Sequence, residues 1–346
     1  MKALVLKAPG DFGVETADTP QCPAGGIVVK VTACGLCGSD LRTLYSGRGN
    51  MSYPWIMGHE VAGEIVRVSP SCAASLKEGG MLAIAPVVYC GSCDFCIEGK
   101  FEFCEHIREL AIDWQGGFAE YLAVPPEALA RGTIRPLPPG LDSVYAAVAE
   151  PLSSCLHAQE RGNVGVGDTV AVIGCGPIGC AHAAIAKIRG ASTVIAADVF
   201  PERLEMCRNF GADILVDSSK EDIVKAVLRH TGERGAGVVI TANPVPETQV
   251  QAVEMAAKGG RVLLFGGLPQ GRSKPGIDTN LIHYRGLQLT GTTTFAPRHY
   301  RTALSMMEQG RFPASKFVTH VLPLDRAEEG ISLAREGKAL KVVFTC

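Results

Sequence analysis

The sequence predicts an α/β protein in two parts, one mostly β and one a doubly wound parallel sheet, and three observations predict it. The chain has 346 residues, more than one core of about 100 to 200 residues accommodates, so two domains are expected. Residues 1–150 hold short alternating apolar runs, "IVVKVTACG" and "VAGEIVRV", broken by Gly and Pro clusters with little helical period. From Thr169 apolar strands alternate with helices, the rhythm of a parallel sheet covered on both faces.

In chain order, "MKALVLKAPG" alternates like a strand, and its apolar stretch is too short for a signal-peptide core. The strand "TVAVIG" is followed by a helix in "IGCAHAAIAKIRG", a strand in "TVIAADV" and a helix in "RLEMCRNFG". Later come "GVVITAN", "VQAVEMAAKGG" and "RVLLFGG". Beyond "LQLTGTT" at 287–293 the alternation fades, and one helix, about Pro297–Gln309, leads into a tail ending "ALKVVFTC". That tail is expected to return to the first part.

Composition narrows the partners. With 47% hydrophobic and 20% charged residues and 40 glycines, the chain is globular with many tight turns. A formal charge of −2 without runs of like charge leaves no footprint for nucleic acid or a membrane surface, so a small neutral or weakly polar partner is expected. No uncharged apolar run approaches the roughly 18 residues of a membrane span. Thirteen cysteines without an export signal point to thiols and metal ligands in a reducing cytoplasm.

"VIGCGPIG" places Gly174, Gly176 and Gly179 in a G-x-G-x-x-G pattern, with Pro177 and Ile178 opening the helix. Such a turn brings backbone and a helix N-terminus to a pyrophosphate. Asp198 ends the next strand, where a carboxylate accepts from an adenosine ribose and repels a 2′-phosphate, so NAD is favoured over NADP. Arg203 either braces the adenosine or lies solvated. Gly266, after "RVLLF", lies by the nicotinamide or serves an ordinary strand end.

"CGSCDFCIEGKFEFC" spaces Cys90, Cys93, Cys96 and Cys104 as C-x2-C-x2-C-x7-C. Four thiolates suit a tetrahedral zinc, and the spacing departs from that of ferredoxin clusters. Such a closed site stabilises the fold and leaves no position for substrate. Scattered elsewhere are Cys37 in "CGLCGSD", His59 and Glu60 in "MGHEVAG", and Glu150 in "AEPLSSCLHA". One thiolate, one imidazole and one carboxylate make an open catalytic zinc site. Cys34 with Cys37 as a C-x-x-C redox pair, and His59 in a turn, is the other reading of the same residues.

Taken together and in this order, "CGLCGSD", "GHEVAGEIV", the four-cysteine stretch, "GGFAEYLAV", "AEPLSSCLHA" and "VIGCGPIG" resemble the zinc-dependent medium-chain alcohol dehydrogenases, most closely their sorbitol (polyol) dehydrogenase branch. The resemblance covers essentially the whole chain. It implies a GroES-like catalytic domain over 1–151, with a zinc lobe at about 88–106, a Rossmann domain over 152–294, a return to the catalytic domain over 295–346, and a cleft between the domains. It implies that Cys37 and His59 bind catalytic zinc together with Glu60 or Glu150, that Asp40 orients the ligating histidine, and that Ser39 takes the alcohol proton. Cys34 matches no ligand.

The resemblance further implies two zinc ions and NAD per subunit, a dimer or tetramer, and oxidation of a secondary alcohol in a polyol or sugar derivative. Arg42 stands where many relatives carry a proton-exporting histidine, and Thr294 and Phe295 replace an Arg-Tyr pair that contacts polyol hydroxyls. A threonine-dehydrogenase-like amino-alcohol enzyme shares every motif. A non-catalytic NAD-binding protein is the other alternative, and retention of Cys37, Ser39, His59, Glu60 and Glu150 together argues against it.

Overall fold

A computed structural model describes residues 1–49, 51–73, 75–131 and 134–346. The chain divides into two compact units, Met1–Ser153 with Phe295–Cys346, and Ser154–Thr294. The first boundary falls inside a helix, Ala149–Arg161, that the β-rich texture of the first part does not announce. Pro151 stands in its first turn, where a missing N–H forfeits no helical bond.

In the first unit the strand Ile27–Gly35 is the organiser. It pairs antiparallel with Glu60–Val68, with Tyr121–Val124 and, from the tail, with Val342–Thr345. Covered on both faces, it reads as a nearly continuous apolar run with almost every residue buried. Val29, Ile65, Phe118, Leu122 and Phe344 pack into one core, and each such side chain contributes about 1.5–3 kcal/mol by leaving water. The opening strand Lys2–Ala8 forms a hairpin with Asp11–Thr16.

The second unit is a six-stranded parallel sheet in the order Ile214–Asp217, Thr193–Asp198, Thr169–Ile173, Ala236–Thr241, Ala256–Leu264, Gln288–Gly291. The order reverses between Thr169–Ile173 and Ala236–Thr241, and open sheets bind ligands at the carboxyl ends of strands at such a reversal. Ile214–Asp217 and the helix Ile223–His230 add one strand–helix pair that the four-residue run "ILVD" is too short to announce. No helix among the described residues is long and apolar enough to cross a membrane.

Candidate functional site

Cys37 lies at the start of the helix Gly38–Ser46. Its backbone N–H donates to Asp40 Oδ2 at 3.0 Å, so the helix start fixes the thiol and the carboxylate together. Asp40 is fully buried, and its Oδ1 lies 3.1 Å from His59 Nδ1. With Nδ1 donating there, Nε2 is left as a ligand atom. Burial opposes protonation of His59, but the charge and hydrogen bond of Asp40 outweigh it and hold the imidazole well above its ordinary pKa. A cation at Nε2 would take the place of that proton.

The Cys37 sulfur, a His59 ring nitrogen and a Glu60 carboxylate oxygen lie within 4.8 Å of one another. Glu60 is completely buried. One oxygen accepts from Lys341 Nζ at 2.5 Å, while Oε2 has no hydrogen-bond partner. An unpaired buried carboxylate oxygen is costly, and a divalent ion offers what is missing. Thiolate, imidazole and carboxylate are the donors zinc takes with a fourth position open. The residues therefore fit the metal. Gly35, opposite Glu60 in the strand pair, makes room for that carboxylate, since a Cβ there would come within 2.0 Å of Oε2.

Glu150 is not among the converging atoms. It stands in the first turn of Ala149–Arg161, and loss of water pushes its pKa up to about 7, with Glu60 adding to the rise and His59 and Lys341 opposing it. Ser39 is exposed one residue before Asp40, and Arg42 is exposed on the same helix. Cys34 is fully buried, its thiol pushed up chiefly by burial, so it behaves as a small core residue. Phe295 is also fully buried, and its carbonyl accepts from the Tyr89 hydroxyl. It presents no polar group to a substrate.

Two residues outside the sequence expectations join this set. Lys341 is buried, donates to Glu60 and also to the Leu36 carbonyl at 2.9 Å. Burial pulls its ammonium down, but Glu60, Cys37 and Glu150 outweigh that and hold it above its usual value. Glu109, on the short strand Arg108–Glu109, is raised by burial against the opposing charges of Arg48 and His59. Besides Asp40, three carboxylates, Glu60, Glu109 and Glu150, thus surround His59.

In the lobe, the four sulfurs of Cys90, Cys93, Cys96 and Cys104 also lie within 4.8 Å of one another. Sulfurs at tetrahedral corners, about 2.3 Å from zinc, stand about 3.8 Å apart. Cys90 and Cys96 are 3.9 Å apart. The Cys90 sulfur accepts from the backbone N–H groups of Ser92 at 3.5 Å and Cys93 at 3.3 Å, and these bonds lower its pKa to about 5. Burial, with the neighbouring sulfurs adding to it, pushes Cys96 the other way, up to about 12, so it is the convergence of the four sulfurs that fits a closed zinc site.

In the second unit Gly174 ends the strand Thr169–Ile173 with φ +99°, a conformation L side chains rarely adopt. Gly176 is the N-cap of the helix Pro177–Ile188, with open space where a side chain would stand. A Cβ at Gly179 would lie 1.7 Å from the Gly174 carbonyl oxygen, so this turn exists only with glycine there. Asp198 is buried, and its oxygens accept from Cys175 N at 2.7 Å and Phe200 N at 3.0 Å. It ties the turn to the neighbouring strand. Arg203 lies over the Phe200 ring at 4.8 Å. Gly266 donates its N–H to the Thr241 carbonyl at 2.8 Å. Beyond the last strand, Thr292 and Thr294 carry buried hydroxyls without partners.

Residues 23–134 match the alcohol dehydrogenase GroES-like domain and 177–309 the zinc-binding dehydrogenase family. The chain is 33% identical to an L-threonine 3-dehydrogenase of Bacillus licheniformis, over 99% of this chain and 98% of that protein. It is 31% identical to an erythritol/L-threitol dehydrogenase of Mycolicibacterium smegmatis, over 98% and 95%. Its fold superposes with a TM-score of 0.91, at 31% identity and over 100% and 99% of the two chains, on a Sinorhizobium meliloti protein described as a zinc-binding dehydrogenase and solved bound to NADP. With two family models matched in order and relatives aligned end to end, the chain belongs to the zinc-dependent medium-chain alcohol dehydrogenase family.

Proposed function

We propose that the protein reversibly oxidises a secondary alcohol of a polyol or sugar derivative to a ketone, passing hydride to NAD. The observation that carries this reading is the convergence of Cys37, His59 and Glu60 around an unsatisfied carboxylate oxygen. Bound there, zinc supplies Lewis acidity that lowers the pKa of an alcohol hydroxyl. Cys37 and His59 hold the metal, with Glu60 or Glu150 as the carboxylate ligand. Asp40 fixes the His59 ring and its tautomer. Ser39, exposed beside them, takes the hydroxyl proton. Arg42 cannot act as the next base because its guanidinium stays charged, so the proton leaves through water.

The four-cysteine lobe holds a second, structural zinc. A homodimer or homotetramer joined through the edge strand Gln288–Gly291, in the cytoplasm, belongs to the same reading.

A second reading, a 3-hydroxy amino acid as substrate, is favoured by the L-threonine 3-dehydrogenase relative and by the carboxylates near His59, which suit a cationic amino group. The two are separated by following NAD reduction by zinc-loaded protein over polyols, sugar phosphates, inositols and β-hydroxy amino acids. Turnover confined to polyols and sugars supports the first reading, and turnover confined to amino alcohols replaces it with the second. Two zinc ions per chain are expected. One ion and no turnover would mean a nucleotide-binding protein in which only the lobe is filled.

NAD is proposed over NADP because Asp198 stands at the end of its strand beside the turn, where a 2′-phosphate meets like charge. The ratio of kcat/KM for NAD over NADP is expected to fall at least about tenfold in Asp198→Ala, about 1.4 kcal/mol of discrimination. The ratio is the proper readout, since the variant also loses the bond to Cys175 and binds both nucleotides less well. An unchanged ratio sinks the carboxylate argument.

A further inference from the structure

Within the unit Met1–Ser153 with Phe295–Cys346 lies a cavity of about 560 Å³, and none of the residues assigned above to zinc, alcohol or nucleotide lines it. The chain has two tryptophans. Both of them, Trp55 and Trp114, stand half-buried in the cavity wall, as does Tyr121. Pro23 and Pro125 add flat saturated rings, and Val5, Ile56 and Leu122 join the lining to the core of the unit. The volume is that of a pocket for a small organic molecule, and half-exposed indoles around open space leave a large apolar surface for that molecule to cover.

The walls are fixed before anything binds. Trp55 and Ile56 pair with Leu6 and Val5 of the strand Lys2–Ala8. The Trp55 indole N–H donates to the Ala111 carbonyl at 2.9 Å, and Ala111 holds φ +70°, a conformation costly to a residue with a side chain. The Arg108 guanidinium lies over the Trp114 ring, 3.8 Å from its centroid. Gln115 Oε1 accepts from Ile56 N at 2.6 Å, and Gly116 N–H donates to the Ile56 carbonyl at 2.8 Å. These bonds lace the two tryptophan segments together, so binding orders little that is not already ordered.

Wall chemistry selects the ligand. Indole, phenol and proline faces favour stacked rings over a flexible saturated chain, and a polyol would find few partners for its hydroxyls. The Met1 amino group is bonded to the Ala17 carbonyl at 2.8 Å. Asp18, the one charged side chain of the lining, is exposed, so water screens it and an ion entering the cavity would lose its hydration without replacement. We propose that this cavity binds an uncharged aromatic molecule of two or three flat rings, at a site separate from the catalytic metal and the dinucleotide.

The test titrates zinc-loaded protein with phenylnaphthylamine, an uncharged aromatic dye that brightens in apolar surroundings. Because both tryptophans line the cavity, their own emission reports on it. One dye per chain is expected to bind saturably and quench that emission, with a Kd at least about tenfold below that of anilinonaphthalene sulfonate, the same rings carrying a charge. Ala123→Phe fills the cavity from the strand Tyr121–Val124 and is expected to raise the dye Kd at least about tenfold while zinc content and NAD-dependent turnover are kept. Trp114→Leu removes a stacking face and is expected to weaken the dye as well, which decides the matter if Ala123→Phe fails to fold. No saturable binding, equal affinity for the sulfonate, displacement by NAD, or unchanged binding in the folded variants overturns the proposal. Displacement by octanol as readily as by naphthol overturns the aromatic class. Binding seen only after dilution has dissociated an oligomer also overturns it, and makes the cavity a contact between copies of the chain.

Discussion

Replacing Cys37 with serine is expected to lower kcat/KM by at least about a thousandfold, roughly 4 kcal/mol of transition-state stabilisation. A serine hydroxyl stays protonated near neutral pH and is a poor substitute for thiolate on zinc. His59 and Glu60 alone then hold the ion, and the chain is expected to carry one zinc in place of two. The fold is expected to survive. Cys37 is half-buried, and the bond that organises the helix start uses its backbone N–H and Asp40, which serine keeps. NADH affinity should therefore match the unmodified protein while activity and metal content fall, and the melting temperature should drop only by the stabilisation lost with that one ion. Full activity in this variant would refute the site, and a variant that fails to fold would show that Cys37 is a structural residue.

Different parts of this molecule were legible in the sequence to different degrees, and the reasons are physical. The nucleotide turn was legible because its constraint is local. Gly174 at positive φ and Gly179 against the Gly174 carbonyl are demands of one strand–turn–helix unit, and the spacing announces them. The lobe was legible for the same reason, its four ligands falling within one short loop. The open site is assembled from a helix start at Cys37 and a strand start at Glu60, brought together by the pairing of Ile27–Gly35 with Glu60–Val68. No window of sequence contains it: the ligand types suggested it but left a redox pair and a turn histidine as the other reading, and resemblance to known enzymes decided between them.

Lys341 escaped because a lysine next to a strand is ordinarily solvated. Its signal was present all the same, a single charge inside the apolar run "ALKVVF", and a charge that enters a core requires a partner. Glu109 had no such signal, since its two-residue strand Arg108–Glu109 pairs with Val87–Val88 and strands that short leave no periodicity to read.

Replacing Cys93 with serine is expected to act on stability first and on catalysis second. Structural zinc sites of four thiolates carry apparent binding free energies of about 10–16 kcal/mol, and that energy is folding energy. Removing one ligand forfeits a large share of it. A loss of several kcal/mol corresponds to a fall in Tm of roughly 10 °C for a unit of this size. Apart from its sulfurs the lobe is built of short pieces, among them the four-residue helix Asp94–Ile97, the turn Phe101–Phe103 and ring contacts of Tyr89 with Phe101 at 5.4 Å and Phe95 with Phe103 at 5.8 Å. Phe95, Ile97 and Phe103 are already exposed, so a loosened lobe adds to an apolar surface and favours aggregation. The soluble fraction of Cys93→Ser should carry one zinc per chain and, per folded molecule, turn over at nearly the unmodified rate, because Cys37, His59 and Glu60 are untouched. Scanning calorimetry, metal analysis and activity normalised to folded protein decide it. If Cys93→Ser keeps its stability and loses only turnover, while Cys37→Ser does the reverse, the catalytic and structural assignments of the two metal sites must be exchanged.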